Sequence, residues 1–416
     1  MNTFLTLQSV DQVLERITEL PPLEAERIPV LGALGRALAG EFLAPEDLPG
    51  FDRSTVDGFA VRARDVFGAS EAAPALLDLI GECQMGTAPD LIVGPGQSAR
   101  IWTGGMLPEG ADAVVMLEYS RAAGTARIEL IRPVAPQDNV ILRDEDVTTG
   151  RPLFPAGWVL RPQDLGLLAS LGQESVQVRR KPKIAVISSG DEVAPVSTPL
   201  RPGIVRECNS FMLCALVESA GGEAVSLGLV PDDLNVLTAA LEKGLSFADA
   251  VLVSGGSSAG QRDFTRPAFE RLPGCEVVVH GIAMRPGKPT IMARYNEKTL
   301  WGLPGNPTAA FITAEVFIRA LVRTLLGQER PNSDSAGFKA RLSRRVASAQ
   351  GRRDYIRIGL EAGPSPEDFP VAVPFLGPSG LVSNPVRADG LVVCHESLEG
   401  LEAGRLVDVH LLRPLS

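Results

Sequence analysis

The chain has 416 residues, of which 45% are hydrophobic and 22% charged, and it carries a formal net charge of −10. This length is too great for one hydrophobic core and predicts a globular protein of three or four domains. The excess of acidic residues disfavours nucleic acid as a partner, because an anionic ligand would be attracted only where cations cluster locally.

Cysteine and histidine usage narrows the chemistry further. The 5 cysteines are scattered without a Cys-x-x-Cys pair, which argues against a disulfide framework and a zinc site and suits a reducing compartment. Only 3 histidines are present, so a histidine-based mechanism is not expected. No basic region precedes an apolar core at the N-terminus, and no apolar run approaches membrane-spanning length. We therefore expect a cytoplasmic protein that does not act at a membrane.

The first segment predicts scaffold elements. Ser9 opens a helix, with Gln12 three residues later as a capping box, and Pro21 ends it. Residues 28–30 then predict a strand, and the run GALGRALAGEFLAP over residues 32–45 predicts a short helix.

A small β domain is predicted next, from short alternating strands at residues 77–80, 96–101 and 113–117. Asp57 precedes a glycine in a polar, turn-rich segment, and Thr103 ends a strand beside a glycine pair. Both residues are either simple turn formers or site residues, and their spacing alone does not separate the two interpretations.

An acidic cluster, Asp144-Glu145-Asp146, follows this domain. A hard cation such as Mg²⁺ would relieve the repulsion between its carboxylates, whereas a solvated surface loop is the simpler explanation. Downstream, a helical period runs over residues 159–171, in which Pro162 starts a helix and Gly172 stops it.

Strands and helices then alternate. Strands are predicted at residues 183–187, 224–229 and 250–253, with helices at 210–220 and after Asp233. This order predicts a parallel sheet with right-handed crossovers, whose ligands bind beyond the carboxyl ends of the strands. Three acids fall at that edge, Glu192, Asp233 and Asp263.

A turn of small residues follows the strand at 250–253 and consists of Gly255, Gly256, Ser257 and Ser258. Backbone N–H groups and hydroxyls that approach a ligand closely suit phosphate oxygens, so we interpret this turn as an anion cradle. Gln261 and Arg262 occupy the positions where a P-loop needs Lys and Ser or Thr, and no Gly-x-Gly-x-x-Gly follows a strand. The cradle is therefore neither a P-loop nor a Gly-x-Gly-x-x-Gly dinucleotide-binding turn.

Two more loops offer positive charge or free amides. Arg285 and Lys288 flank a Pro-Gly turn, which presents two cations to an anion. Pro304 lies just before Asn306, a candidate N-cap, and Pro307 takes the first position of the following apolar helix. Each loop alone is equally an ordinary turn, but the three together predict an anion site.

The last part of the chain predicts a C-terminal β domain. Short strands at residues 340–346, 355–360, 391–394 and 407–412 are separated by Gly and Pro, and no βαβ unit remains.

Taken in order, these motifs resemble the MoeA family of molybdopterin molybdenumtransferases, which includes the E domain of gephyrin, over essentially the whole chain. Each motif is weak alone, but their common order is specific. The motifs are Ser54-Thr55-Val56-Asp57-Gly58-Phe59-Ala60, Ile101-Trp102-Thr103-Gly104, Asp144-Glu145-Asp146, Ser188-Ser189-Gly190-Asp191-Glu192, Ser254-Gly255-Gly256-Ser257-Ser258-Ala259-Gly260-Gln261-Arg262-Asp263, Arg285-Pro286-Gly287-Lys288-Pro289 and Leu303-Pro304-Gly305-Asn306-Pro307.

The resemblance implies an α/β multidomain fold. Its parts would be an N-terminal α+β domain (1–48 and 147–180), a small β domain (49–146), a central parallel-sheet α/β domain that binds molybdopterin (181–328) and a C-terminal β-barrel-like domain (329–416). It also implies an elongated homodimer, with the active cleft between the α/β domain of one subunit and the small β domain of the other.

The implied reaction inserts molybdate into adenylylated molybdopterin and releases AMP, with Mg²⁺ as cofactor. By analogy, the catalytic residues would be Asp57, Thr103, Asp146, Glu192 and Asp263, and the metal ligands would be Glu192, Asp233 and Asp263. Substrate would bind through Gly255, Gly256, Ser257, Ser258, Arg285, Lys288, Pro304, Asn306, Pro307, Ser379 and Ser383. A molybdopterin adenylyltransferase and the molybdoenzymes that receive the cofactor would be partners.

The chain departs from the family pattern in three places, one of which is Ser257-Ser258 in place of Val-Ser after the glycine pair. Where the family has Asn-Ile-Arg-x-x-Gly-Glu-Asp, Ile141 replaces the arginine and Asp144 the glycine, and Arg206-Glu207-Cys208-Asn209 replaces Tyr-Asp-Thr-Asn. Either Arg143 or Arg206 supplies the lost charge, or the chain is a divergent, non-catalytic paralogue that acts as a binding or scaffold module. A nucleotide hydrolase that shares only the α/β domain, as in CinA-type proteins, is a third hypothesis, and the resemblance outside residues 181–328 speaks against it.

Overall fold

The structure is a computed structural model that describes residues 7–255, 264–328, 338–363, 365 and 367–413. The chain divides into two compact units, and each is described by itself. The first unit contains residues 1–39, 156–161 and 176–416, and the second contains residues 40–155 and 162–175. No helix within the described ranges is both long enough and apolar enough to cross a membrane.

The first helix of the first unit, Val10–Thr18, begins as the sequence predicts. Ser9 Oγ accepts a hydrogen bond from the backbone N–H of Gln12 at 3.2 Å, and Gln12 Oε1 accepts one from the backbone N–H of Ser9 at 2.9 Å. The pair is a complete capping box, which satisfies two otherwise unpaired amides. The buried face of this helix consists of Val10, Val13 and Ile17.

The short helix predicted over residues 32–45 is wrong. A strand at Ala25–Pro29 is followed by a 3₁₀ turn at Val30–Gly32, and the next element is the strand Phe42–Leu43. Gly35 has a φ of 72°, a left-handed conformation that interrupts an α-helix. The glycines of this run therefore prevent the helix that its alanines and leucines favour.

A six-stranded sheet forms the centre of the first unit. Its spatial order is Glu223–Val230, Lys183–Ser189, Ala250–Ser254, Lys298–Leu303, Ile291–Tyr295 and Cys275–His280. The first four strands are parallel, whereas each of the last two runs antiparallel to the strand before it. The sequence missed this hairpin, in which Tyr295 pairs with Lys298 across a two-residue turn that only antiparallel strands can share.

Helices cover both faces of this sheet. They are Asn209–Ser219, Leu234–Leu245, Thr265–Arg271 and a continuous run of Pro307–Thr313, a π-helical turn at Ala314–Ile318 and Arg319–Leu325. Successive strand residues point to opposite faces, so Ile184 and Val186 enter one buried cluster while Ala185 and Ile187 enter the other. The run of buried residues in Ala250–Ser254 is typical of a parallel strand covered on both faces.

The C-terminal part of the first unit is a closed five-stranded barrel. Around the barrel the strands are Arg353–Glu361, Val371–Pro374, Phe338–Leu342, Leu406–Leu411 and Gly390–Cys394, and the last pairs again with the first. Smaller elements beside it are the strands Val346–Ala347 and Gly400–Leu401 and the helix Ser383–Arg387. The predicted strand at 340–346 is shorter than expected, and the sequence missed both Val371–Pro374 and the helix.

The barrel also pairs with a strand that belongs to the α/β region. Met284–Arg285 runs parallel to Arg353–Asp354, with Arg285 opposite Asp354. The backbone hydrogen bonds between these two strands therefore hold the turn that contains Arg285 against the barrel. The remaining strands of the first unit are Ser175–Arg179, Val193–Ala194 and Val205–Arg206.

The second unit is built on a six-stranded sheet of short strands. Its order is Ala113–Met116, Gly58–Val61, Gln97–Ile101, Ala75–Glu82, Arg127–Leu130 and Ser120–Ala122. Further elements are the strands Phe42–Leu43, Arg53–Ser54, Val140–Ile141 and Pro152–Phe154, the 3₁₀ turns Ala63–Asp65 and Leu117–Tyr119, and the helix Pro162–Ser170. The predicted small β domain and its three strands are thus present.

Candidate functional site

Two strand-end turns meet at the carboxyl edge of the central sheet. Gly255 has a φ of 115°, and a Cβ at this position would lie 2.0 Å from the carbonyl oxygen of Ser189. A Cβ on Gly305 would lie 3.5 Å from the Cα of Gly255. Only glycine fits at position 255, because any side chain would collide with the neighbouring strand. The predicted cradle residues Gly256, Ser257 and Ser258 lie outside the described residues.

Asn209 ties these turns together. Its Nδ2 donates to Ser254 Oγ and to the carbonyl oxygen of Gly305, both at 2.8 Å. The preceding Glu207 is buried and accepts from Ser188 Oγ and from the backbone N–H and Oγ of Ser210. Glu207, part of the segment that departs from the family pattern, therefore fixes the start of the helix Asn209–Ser219.

The acids predicted at this edge have different surroundings. Glu192 is exposed. Asp233 caps the helix Leu234–Leu245, since its Oδ1 accepts from the backbone N–H groups of Asn235 at 2.8 Å and Val236 at 3.0 Å. Asp263 lies outside the described residues.

These acids do not form a metal centre within the described part of the chain, where no group of three or more His, Cys, Asp or Glu side chains is placed to hold an ion. The carboxylate of Asp233 is already used as a helix cap. The described residues therefore do not fit Mg²⁺ by themselves, and the predicted ligand set of Glu192, Asp233 and Asp263 stays a prediction.

A cleft of about 900 Å³ lies between the loops of the α/β region and the barrel. Among the described residues, four cations line it, Arg285, Lys288, Arg352 and Arg357, together with one carboxylate, Asp354. This local excess of positive charge contrasts with the net charge of −10 of the whole chain. The cleft meets the expectation that an anionic ligand needs local cations.

Arg357 is the most unusual of these cations, because its side chain is buried without sufficient partners. The residue is 7% exposed, and its Nη2 donates long hydrogen bonds to the carbonyl oxygens of Phe375 at 3.3 Å and Gly377 at 3.4 Å. Its Nε and Nη1 have no hydrogen-bond partner among the described residues. Burial, followed by the positive charge of Arg285, lowers the pKa of Arg357. An anion in the cleft would relieve both the unpaired donors and the unfavourable burial of charge.

Asp354 partly balances the neighbouring cations. It is 6% exposed, with its Oδ1 3.0 Å from Arg352 Nε and its Oδ2 3.9 Å from Arg285 Nη1. Because one carboxylate faces several cations, the cleft keeps positive charge for a ligand.

The helix start predicted at Asn306 also faces this cleft. Asn306 is the N-cap and Pro307 the first residue of the helix Pro307–Thr313, as predicted, but the Asn306 side chain does not cap it. Instead its Nδ2 donates to Ser379 Oγ at 3.2 Å. Pro304, Asn306 and Ser379 line the cleft together with Arg285 and Lys288. Ser383 begins a short helix and is exposed.

In the second unit, Asp57 and Thr103 form a pair. Asp57 Oδ1 accepts from the backbone N–H of Thr103 at 2.8 Å and from its Oγ1 at 2.7 Å. These two hydrogen bonds lower the pKa of Asp57 and keep its carboxylate charged. The fold thus brings together two residues that lie 46 positions apart in sequence.

The acidic cluster of the second unit is a surface loop. Asp144, Glu145 and Asp146 are exposed, and Glu145 Oε2 accepts from the backbone N–H of Leu142. Arg143, one candidate for the missing family cation, is paired with Asp47 at 2.7 Å. Its charge is therefore already partly neutralised. The other candidate, Arg206, is exposed.

Family models match most of the chain in the order that the sequence motifs predict. The N-terminal region of MoeA (domains I and II) matches residues 8–172, a probable molybdopterin-binding domain matches residues 185–324, and the C-terminal region of MoeA (domain IV) matches residues 339–412. The chain is 34% identical over 409 residues to the molybdopterin molybdenumtransferase of Bacillus subtilis, covering 97% of this chain and 94% of that protein.

The chain belongs to the MoeA family. The molybdopterin molybdenumtransferase of Haemophilus influenzae is 33% identical and aligns with 97% of this chain and 99% of its own length. The crystal structure of a MoeA protein from Pyrococcus horikoshii superimposes with a TM-score of 0.83 at 36% identity, covering 99% of this chain and 100% of that one. The predicted family and fold class are confirmed.

Two of the cations that line the cleft were not identified by the sequence motifs. Arg352 and Arg357 line the cleft with the predicted Arg285 and Lys288, but both were missed. For Arg357 the available signal was its position between Ile356 and Ile358 in the strand Arg353–Glu361, since an arginine buried among apolar residues needs a partner.

Proposed function

We propose that this MoeA-family chain is an enzyme of molybdenum cofactor biosynthesis, which inserts molybdenum from molybdate into adenylylated molybdopterin and releases AMP. The observation that carries the proposal is the buried, incompletely paired Arg357 in a cleft that also contains Arg285 and Lys288. The names of the relatives from Bacillus subtilis and Haemophilus influenzae, molybdopterin molybdenumtransferase, support the transfer of molybdenum to molybdopterin.

The cleft suits a compact oxyanion. Arg357 offers Nε and Nη1 as donors from a buried position, where a charge-assisted hydrogen bond is stronger than in water. Arg285 lies nearer to solvent, with a side chain that is 63% exposed, and supplies longer-range attraction. A molybdate dianion would satisfy the free donors of Arg357 and neutralise the neighbouring charges.

This reaction does not need a protein nucleophile. The two thiol groups of molybdopterin form Mo–S bonds, and one oxide ligand of molybdate takes up their two protons and leaves as water. A second water hydrolyses the phosphoanhydride to AMP and the phosphate of molybdopterin. The protein therefore has to position two anionic reactants and neutralise their charge, which lowers the entropic and electrostatic barriers. The turn at Gly255 and Gly305, where backbone approaches closely, is the proposed position of a phosphate group.

The remaining parts of the proposal come from family resemblance. They are a homodimer, a cytoplasmic location, a requirement for Mg²⁺, and partners that deliver adenylylated molybdopterin or receive the finished cofactor. The chemistry above is not routed through Mg²⁺. The catalytic roles of Asp57, Thr103, Asp146, Glu192 and Asp263 and the substrate contact of Ser383 belong to the same group of proposals.

The other two functional hypotheses have less support. A non-catalytic scaffold would not require unpaired buried donors in a cleft, and the relatives are named as transferases. A CinA-type hydrolase would share only the α/β domain, whereas MoeA models also match residues 8–172 and 339–412.

Molybdate binding tests the proposal directly. The purified chain is titrated calorimetrically with molybdate, and Arg357→Gln should weaken binding about 10-fold to 100-fold, because hydrogen bonds to a charged group contribute about 1.5–3 kcal/mol. Arg341→Gln is the matched control, since Arg341 lies in the same barrel and donates to the carbonyl oxygen of Gly404 outside the cleft.

Turnover provides the second readout. Adenylylated molybdopterin should release AMP in a molybdate-dependent manner with wild type and Arg341→Gln, and much more slowly with Arg357→Gln. Wild-type protein that neither binds molybdate nor releases AMP would refute the function, and equal affinity in Arg357→Gln would refute the cleft as its site.

A further inference from the structure

A half-buried tryptophan lies at the end of the strand Gln97–Ile101 in the second unit. Trp102 Nε1 donates to Glu82 Oε1 at 2.8 Å, and the guanidinium carbon of Arg100 lies 4.5 Å from the centre of the indole ring. One contact fixes the edge of the ring and the other covers a face. The indole is therefore held in one orientation near the protein surface.

Carboxylates lie on both sides of this ring. The strands Gly58–Val61 and Ala75–Glu82 flank Gln97–Ile101 in the sheet. Gly58 pairs with Ile101 in antiparallel register, which places the preceding Asp57 across from Trp102. Glu82 is paired with Arg100 on the other side.

Each of these carboxylates keeps an unused acceptor. Thr103 donates twice to Oδ1 of Asp57, and Trp102 donates to Oε1 of Glu82. Within the described part of the chain, Asp57 Oδ2 and Glu82 Oε2 accept no hydrogen bond, and both residues are exposed. The surface thus combines an oriented aromatic ring with acceptors on either side of it.

This combination selects a particular kind of ligand. A flat heteroaromatic ring stacks on indole, and adjacent ring N–H and amino donors pair with one carboxylate through two parallel hydrogen bonds. The 2-amino-4-oxo pyrimidine edge of a pterin presents such a donor pair. The corresponding edge of adenine places a ring nitrogen acceptor beside its amino group, which a carboxylate repels.

We propose that Trp102, with Asp57 and Glu82, forms a subsite that stacks the pterin ring of the substrate and accepts hydrogen bonds from its amino edge. The inference rests on the proposed function, because it assigns one end of that substrate to a surface of the second unit. It gives Trp102 and Glu82 roles that the family motifs did not suggest, and it gives Asp57 a binding role.

Equilibrium dialysis of the full-length chain tests the subsite with three probes. Neopterin carries the complete donor edge, the corresponding lumazine carries an oxo group in place of the 2-amino group, and AMP carries adenine. We expect neopterin to bind about 10-fold more tightly than the lumazine, because loss of the donor leaves a carboxylate facing an oxygen. AMP should bind no more weakly to Trp102→Ala than to wild type.

Variants separate stacking from hydrogen bonding. Trp102→Ala should weaken neopterin binding at least about fivefold, and Trp102→Phe should weaken it less, because phenyl retains an aromatic face. Glu82→Gln should reduce the preference for neopterin over the lumazine. Trp158→Phe is the matched control, since Trp158 also lies under an arginine, with Arg161 at 5.0 Å, but in the first unit. Circular dichroism confirms that each variant is folded.

The outcomes distinguish this inference from the function on which it rests. If Trp102→Ala and Trp102→Phe bind neopterin as wild type does, or if wild type does not bind it, the subsite is refuted, and the function stands provided that wild type binds molybdate and releases AMP. If Trp102→Ala loses AMP rather than neopterin, the surface binds adenine and the pterin assignment is wrong. Wild-type protein that neither binds molybdate nor releases AMP would refute the function itself.

Discussion

The barrel cleft and the Trp102 surface recognise ligands by opposite means. In the cleft, a buried arginine with free Nε and Nη1 atoms lies among further cations, beside a single carboxylate. On the second unit, exposed carboxylates flank an aromatic ring that is held by an arginine. The first arrangement suits a small dianion and the second a flat ring that carries hydrogen-bond donors.

The largest expected effect comes from a substitution at the carboxyl edge of the central sheet, beside the cleft, which leaves the second unit unchanged. Gly255→Ala would place a Cβ 2.0 Å from the carbonyl oxygen of Ser189, at a φ of 115° that alanine rarely adopts. We expect destabilisation of more than about 3 kcal/mol, measured by urea unfolding. Gly32→Ala, where a Cβ would meet no atom within 4 Å, is the control and should unfold nearly as wild type does. Equal stability of the two variants would contradict the geometry of the cradle.

The next largest effect is that a substitution in either surface should weaken the binding of only one of the two ligands. Arg357→Gln should lose at least about 10-fold in molybdate affinity and keep its neopterin affinity, whereas Trp102→Ala should show the reverse pattern. Calorimetry with molybdate and dialysis with neopterin measure both affinities for each variant. If one substitution weakens both ligands equally, the two surfaces do not act as separate subsites.

Ionic strength should have a smaller effect, which changes the affinity for molybdate more than the affinity for neopterin. Raising salt from about 0.05 to 0.5 M shortens the Debye length and should weaken molybdate binding several-fold, because cations such as exposed Arg285 attract the dianion through solvent. Neopterin is neutral at pH 7, so its affinity should change less than twofold. The ratio of the two dissociation constants across the salt series is the measurement, and a parallel change would contradict the assignment of charge to the cleft alone.

The smallest effect concerns acid stability of the second unit. Thr149 and Arg143 hold the pKa of Asp47 at about 2, below its usual 3.8. A carboxylate whose folded pKa is depressed stabilises the fold above its unfolded pKa, and this stabilisation is lost as pH falls from about 3.8 to about 2. Asp47→Asn should therefore lower the midpoint of thermal unfolding at pH 6 and show a weaker decline than wild type between pH 4 and pH 2. An identical pH profile for both proteins would contradict the predicted shift.

Sequence patterns predicted the elements whose signals are local. The capping box at Ser9, the helix start at Pro307 and the buried strand Ala250–Ser254 were recognised because their signals lie within a few residues. The helix predicted over residues 32–45 failed, because propensity did not reveal the left-handed backbone at Gly35.

The site was predicted only in part for a related reason. Motifs identified Arg285 and Lys288 as cations, but Arg357 lies 72 and 69 positions away in the chain, and only the folded barrel places it in the same cleft. Its missing hydrogen-bond partners are a property of packing that has no counterpart in a sequence pattern. Likewise, the contact between Trp102 and Glu82 depends on strand order within a sheet.

The shared strand Met284–Arg285 constrains how this protein can be rearranged. Because its backbone pairs with Arg353–Asp354, the start of the first barrel strand has a partner that is encoded well before the barrel itself. A chimera that exchanged only the residues after position 328 would bring together a barrel and a turn that had never been matched to each other. Engineering or natural recombination at this junction should therefore succeed most often when the strand Met284–Arg285 and the barrel come from the same protein.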